Sequence, residues 1–493
     1  MGQLCEGAAD EQYVYVCGLI CVAGQLSDFR IVFLWCIMNS RDSKSLSRRD
    51  LLRRSALALG TTACATALHP STARGGTFSP THPLYPKAPH FAPKAKRVIL
   101  FFMNGGVSHV DTFDPKEGLR RDHGKIISGS AKLLASPWKT NVYASCGTQV
   151  TELFPQLGAC MDDIALIRSM YGDHGDHFAA TLGMHTGSNG EARPGIGAWL
   201  SYGLGTHNPN LPSHVVFAPK DPYAGTQVWD ANFLPAYHQG VRVTPGSEPI
   251  ANLKPALGDV TLRSMEEELF DRVNQIHLAK RTEDQRLKGR MLSFQTARGL
   301  QSQAPEVFDL REESDASLSL YGVQRGDAKS FAWQCLMARR LAERGVRFIE
   351  VIDANNWDAH GNIKDHEKMA RNIDQPIAGL IRDLKSRGMF EETLIVWCTE
   401  FGRTPAAPGG GRDHHKAAFS CWLAGAGVKG GVVYGASDEY GLTIAENPVH
   451  VHDFHATILH LAGLDHEKLT FRYGGRDFRL TDVHGNIVKD VIA

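Results

Sequence analysis

The chain is short of paired thiols. Of its 10 cysteines, five (Cys5, Cys17, Cys21, Cys36 and Cys64) lie within the first 64 residues. The others, Cys146, Cys160, Cys335, Cys398 and Cys421, form no Cys-x-x-Cys pair. That argues against a disulfide framework and against a thiolate zinc site. Cys398 and Cys421 sit in apolar runs, where a thiol serves as a small core group. An excess of charge is also lacking: 53 Lys plus Arg meet 53 Asp plus Glu. No overall field therefore favours nucleic acid or an anionic membrane as partner. The chain has no Gly-x-Ser-x-Gly elbow and no phosphate-cradling Gly-x-x-x-x-Gly-Lys-Ser/Thr. Asn104-Gly105-Gly106 lacks the third glycine of a dinucleotide fingerprint.

What is present begins with an address. Ser47-Arg-Arg-Asp-Leu-Leu-Arg53 precedes the apolar, small-residue run Ser55 to Leu68, and a Pro-rich stretch follows. A basic region, a short apolar region and small residues near Ala67 or Ala73 fit a cleaved export signal. The paired arginines are of the twin-arginine kind. The apolar run is shorter than the roughly 20 residues a spanning helix needs. The segmentation expected is 1–37 as a mis-assigned start, which would make Met38 the natural start, or as an extra segment, the competing reading being a membrane segment. A signal over 38–74, a Pro-rich linker over 75–95 and one domain over 96–485 follow. The expected partner during export is the twin-arginine translocase, and the destination is the periplasm or cell surface. A lipid anchor at Cys64 is a further option.

Beyond the linker, short apolar runs alternate with helical patterns. Strands are expected at Val98–Met103, Ile164–Arg168, Ser213–Phe217, Val346–Ile352, Thr393–Thr399 and Ala418–Leu423. Helices are expected at Val150–Met161, His177–Thr186, Leu262–Leu300, Asp327–Arg344, His366–Arg387 and Val451–Ala462. Alternation of this kind predicts an α/β fold, a largely parallel sheet with helices on both faces. Residues 219–250 and 302–325 read as loops or excursions.

Ligands in such folds bind beyond the carboxyl ends of the strands, and acid/imidazole clusters fall there. They are His109 and Asp111; His174, Asp176, His177 and His185; Asp358 and His360; Glu400; Asp413, His414 and His415; and His450, His452, Asp453 and His455. Mixed imidazole and carboxylate donors suit Zn, Mn or Fe, whereas all-oxygen sites suit Ca and Mg. His450-x-His-Asp453 has a plainer reading, a cap on the helix that follows.

The motifs NGGVSHVDTFDP (104–115), HTG (185–187), GAWLSYGLG (197–205), LPSHVV (211–216), WDAHGN (357–362), EFGRTP (400–405), GRDHH (411–415) and DFHATILHLAGLD (453–465) occur in this order. The combination resembles the bacterial "domain of unknown function 1501" family, over about residues 95–480. That resemblance implies an alkaline phosphatase-like three-layer sandwich, related to sulfatases, with a mostly parallel central sheet and a metal centre at the strand ends. It further implies an exported hydrolase acting on a phosphate or sulfate ester, small-molecule or polysaccharide, with one or two divalent metals such as Zn, Mn or Ca. The ligands it implies are Asp358, His360, Glu400, Asp413 and His414, completed by His109 and Asp111. Arg403 or Arg412 would hold the substrate oxyanion, and His177 would be nucleophile, base or ligand. Two positions depart from the superfamily pattern. Asn104 stands near its strand-one acidic ligand, and His177 stands near its nucleophile, with Thr186 and Ser188 as other hydroxyl candidates. The departures leave a second expectation, a non-catalytic exported protein keeping the fold as a binding or cell-surface component.

Overall fold

The structure is a computed structural model that describes residues 84–253, 258–282, 284–407 and 409–493. The expected signal, the segment ahead of it and the first part of the linker, residues 75–83, lie outside the described residues. The central sheet contains β1 (Arg97–Met103), β2 (Ile164–Tyr171), β3 (His214–Phe217), β4 (Val241–Val243), β5 (Phe348–Asp353), β6 (Thr393–Cys398), β7 (Phe419–Gly425), β8 (Val432–Tyr434) and β9 (Val449–His450). Their order across the sheet is 8-2-7-6-1-5-3-4, with β9 also pairing with β2. Every pairing is parallel except the two made by β7.

Strands buried on both faces read as continuous apolar runs, and β1 is such a strand. Ile99, Phe101 and Met103 face one core, together with helices α6 (Phe331–Glu343) and α7 (Asp365–Ser386). Val98, Leu100 and Phe102 face the other, with α1 (His177–Thr186), α2 (Ile196–Leu204) and α8 (Val451–Leu461). The result is a helix–sheet–helix sandwich. In the chain, α3 (Val260–Ala279), α4 (Gln285–Phe308) and α5 (Asp315–Tyr321) follow α2, and Leu300, Ala304, Val307, Leu318 and Tyr321 of α4 and α5 join the first core.

All six expected strands are present, and three short ones are added: β4, β8 and β9. The expected helix over Val150–Met161 is not formed. Thr148–Thr151 pairs with Thr140–Tyr143 as a hairpin, and Pro155 begins a separate short helix, Pro155–Gly158, because proline cannot sit inside a longer one. The single helix expected over Leu262–Leu300 is two, the second restarting where Asp284 accepts from the Leu287 N–H. Residues 302–325 are not a loop: α4 runs on to Phe308, and α5 follows. The fold continues beyond residue 485, with Val491 buried and the Ala493 N–H bonded to the Gly427 carbonyl at 2.9 Å. Among the described residues no helix is long and apolar enough to cross a membrane.

Because β1, β2, β3, β5 and β6 all point the same way, their carboxyl ends share one edge. β7 runs against them, so its amino end, and the histidines just before it, lie at that edge too.

Candidate metal centre

β1 empties into Gly105 and Gly106, with φ of +115° and +75°. A Cβ on Gly105 would meet Asn356 Oδ1 at 2.3 Å and the Trp357 backbone nitrogen at 2.6 Å. Only glycine lets this turn pass beneath the loop that follows β5. The Gly105 N–H donates to Glu400 Oε1 at 2.8 Å, which ties the ends of β1 and β6 together.

Three histidines reach the edge, each held from behind. His177, the first residue of α1, donates from Nδ1 to Glu400 Oε1 at 2.7 Å. His360 donates from Nδ1 to Asp413 Oδ1 at 2.8 Å. His414 donates from Nδ1 to the Gly175 carbonyl at 2.6 Å. Carbonyl and carboxylate oxygens can only accept, so each ring carries a proton on Nδ1, and in the neutral form each Nε2 keeps a free lone pair. The Nε2 atoms of His177, His360 and His414 lie 3.3, 3.0 and 3.4 Å from Asp358 Oδ1. The Nε2 atoms of His360 and His414 are 3.0 Å apart.

Three neutral imidazole nitrogens crowded on one carboxylate oxygen are an arrangement that a cation would join. Donors about 2.1 Å from a tetrahedral ion stand roughly 3.4 Å from one another, and one ligand atom each of His177, Asp358 and His414 lies within 4.8 Å of the other two, with His360 Nε2 beside Asp358 and His414. His177 Nε2 is buried without a hydrogen bond, an orphaned acceptor directed at Asp358. Burial lowers the His414 pKa, which keeps its ring neutral as a ligand must be. Burial alone would raise the Asp358 carboxyl, but the Arg403 guanidinium 2.5 Å away outweighs it and holds the group below its ordinary value.

The walls are aromatic. Tyr223 stacks on His177 with ring centroids 3.9 Å apart, and His414 meets the same ring edge-on at 4.2 Å. The Tyr223 N–H donates to Asn104 Oδ1 at 3.3 Å, and its hydroxyl donates to Asn356 Oδ1 at 3.2 Å. The open side is that of His360 and Asp413, whose side chains are 46% and 61% exposed.

The other residues singled out in the sequence fall elsewhere. Glu400 and Asp413, expected as ligands, stand one bond behind, each orienting a histidine. Arg403, expected to bind substrate, is fully buried and donates to the carbonyls of Gly105, Gly106 and Arg412 as well as to Asp358. Arg412 is buried against Asp111, with Nε on Oδ2 at 2.6 Å, and its other nitrogens serve the carbonyls of Thr404, Pro405 and Leu134. Asp111 therefore faces Arg412 and the Ser108 hydroxyl, not the four converging groups. His109 donates from Nε2 to the Gly441 carbonyl and stacks on His415; burial, then the His415 ring, lowers its pKa to about 4. Thr186 caps its own helix through the Leu182 carbonyl. His450 and Asp453 form the helix cap of the plainer reading. Tyr223 and the Gly175 carbonyl had no sequence signal: the first lies in an irregular loop, the second on the backbone.

No curated protein matches the chain. Solved structures that resemble it do so weakly. The lipoteichoic acid synthase LtaP of Listeria monocytogenes is 9% identical, with a TM-score of 0.35, over 79% of this chain and 76% of that one. The PsFucS1 sulfatase of Pseudoalteromonas sp. is 13% identical, with a TM-score of 0.33, over 76% and 69%. The alkaline phosphatase of the Antarctic bacterium TAB5 is 11% identical, with a TM-score of 0.32, over 76% and 99%. Likeness at this level says nothing of what this chain does. The family model is another matter: residues 95–492 match it, and the chain belongs to the family described as protein of unknown function, DUF1501.

Proposed function

We propose that the protein is an exported, metal-dependent hydrolase of phosphate or sulfate esters. The observation that carries this reading is the convergence of the His177, His360 and His414 Nε2 atoms on Asp358 Oδ1, each ring's other nitrogen being tied back. Those four residues would hold one divalent cation, and three imidazoles favour Zn or Mn over Ca. A cation bound there supplies a Lewis acid for an ester oxygen.

The chain's own groups do the rest. Glu400, Asp413 and the Gly175 carbonyl fix the ring orientations, as partners behind ligating histidines do. Arg403 keeps Asp358 ionised. Tyr223 and Phe401 wall off His177 from water. With His177 assigned as a ligand, the attacking group in this reading is water. Asp413, on the open side, is placed to accept a proton near that water.

Support for export is confined to the sequence, the Arg48-Arg49 pair before its short apolar run. Cell fractionation of the wild-type chain and of Arg48→Lys/Arg49→Lys tests it, since a lysine pair would retain the protein inside. The non-catalytic reading has one specific support: Arg403 and Arg412 are fully committed within the protein, leaving neither free for an oxyanion. A panel of aryl phosphates and aryl sulfates, run on metal-loaded wild type and on Asp358→Ala, separates the two. Turnover lost in Asp358→Ala supports the hydrolase; metal uptake without turnover of any ester supports the binding protein.

A further inference from the structure

Helix α3 is built inside out. A surface helix normally turns its apolar stripe to the core and its charges to water. Here Arg263, Glu267, Asp271, Asn274 and Leu278 form the partly covered face, and Arg298 of α4 grips Asp271 with two hydrogen bonds, at 2.6 and 3.0 Å. Leu262, Met265, Leu269, Phe270, Val273 and Ile276 face outward and are 41–56% exposed. No residue of α3 is buried.

We infer that this stripe is the contact by which two copies of the chain pair, helix against antiparallel helix. The spacing is the first ground. Leu262, Met265, Leu269, Val273 and Ile276 are separated by 3, 4, 4 and 3 residues, so the stripe reads the same from either end about Leu269. An antiparallel copy then sets Leu262 on Ile276, Met265 on Val273 and Leu269 on itself, as a two-fold interface requires.

Charge is the second ground. On the exposed surface Glu266 and Glu268 precede the stripe's centre, while Arg272, His277, Lys280 and Arg281 follow it. Antiparallel pairing sets the acidic half of one helix beside the basic half of the other, with Glu268 and Arg272 on the same flank. Parallel pairing would oppose the glutamates. The same balance disfavours a membrane surface: from Arg263 to Arg281 four carboxylates match four Lys or Arg, whereas interfacial helices carry an excess of Lys and Arg on the polar face.

Area is the third ground. The six half-exposed side chains offer on the order of 500 Å² of apolar surface. That is a large share of the roughly 800 Å² each partner contributes to a stable interface, of which about 57% is apolar.

The test is sedimentation velocity of the full chain over a concentration series, with Leu269→Glu, Glu268→Arg and the double variant Glu268→Arg/Arg272→Glu. All three positions are on the outward part of α3, and thermal melting checks that each variant is folded. A concentration-dependent dimer is expected, lost in Leu269→Glu, weakened about tenfold or more in Glu268→Arg, and recovered in the double variant. A wild-type chain that stays monomeric overturns the proposal, as does a dimer indifferent to Leu269→Glu. A dimer that Leu269→Glu abolishes but the double variant does not recover overturns the antiparallel pairing.

Discussion

His360 Nε2 and His414 Nε2 stand 3.0 Å apart, and in neutral rings whose Nδ1 atoms donate to oxygens neither carries a proton. Two facing lone pairs at that distance are stable only with a proton or a cation between them. A shared proton would leave His177 Nε2 still without a partner, whereas a cation satisfies all three rings and Asp358. The geometry therefore favours the cation.

The residues behind the ligands should matter nearly as much as the ligands. In Glu400→Gln the His177 Nδ1–H loses its carboxylate partner. Metal affinity should fall about 10- to 100-fold while the fold persists. Competition against a chromophoric chelator measures it, and an unchanged affinity would remove His177 from the site.

Arg412 is expected to act on stability, not on substrate. Arg412→Ala leaves the buried Asp111 carboxylate without its counter-charge, a loss of about 3–5 kcal/mol. Asp111→Asn strands the Arg412 guanidinium instead, and should cost less because that group still donates to the carbonyls of Thr404, Pro405 and Leu134. Chemical denaturation gives both values, and the folded fraction of each variant should still bind metal.

How much of this could be read beforehand follows from the range of the interactions. The strand ends were legible because alternating apolar runs and helical patterns are local, and so were the glycines that end β1. Which acidic residue binds and which merely orients was not legible. Glu400 directly follows the end of a strand, yet its Oε1 turns back to the Gly105 N–H and His177. Asp111 meets Arg412 across 301 positions of sequence, and no local pattern announces that pair. Val150–Met161 carries a helical pattern, but pairing with Thr140–Tyr143 and the proline at 155 override it.

A buried pair on α1 gives the fold a pH limit. Burial works against the His185 charge, but Glu350, 2.7 Å away in β5, outweighs it and raises the imidazole pKa above 6.5. A group whose folded pKa is raised contributes its full stability below the unfolded value and loses it as pH rises through the folded one. The stability difference between wild type and His185→Gln should thus be greatest below about pH 6.5 and shrink on the alkaline side. Melting curves across pH follow it; a difference growing with pH would contradict the pairing.

The turn after β1 has no room for a side chain. Gly105→Ala would drive a Cβ into Asn356 and Trp357 and force a strained φ, a cost on the order of 3 kcal/mol. Because that loop leads to Asp358, metal affinity should fall along with the melting temperature. Gly124, also at positive φ but with open space around it, is the control: Gly124→Ala should strain the backbone without touching metal binding.

The most direct measurement is a metal titration of the chelator-stripped chain with Zn and with Mn, following bound metal and aryl-ester hydrolysis in the same samples, for wild type, Asp358→Ala and His414→Ala. Wild type should take up the ion with hydrolysis rising in step, and both variants should lose uptake and hydrolysis together. A wild-type chain that binds neither ion, or variants that bind and turn over like wild type, would contradict a metal centre at Asp358.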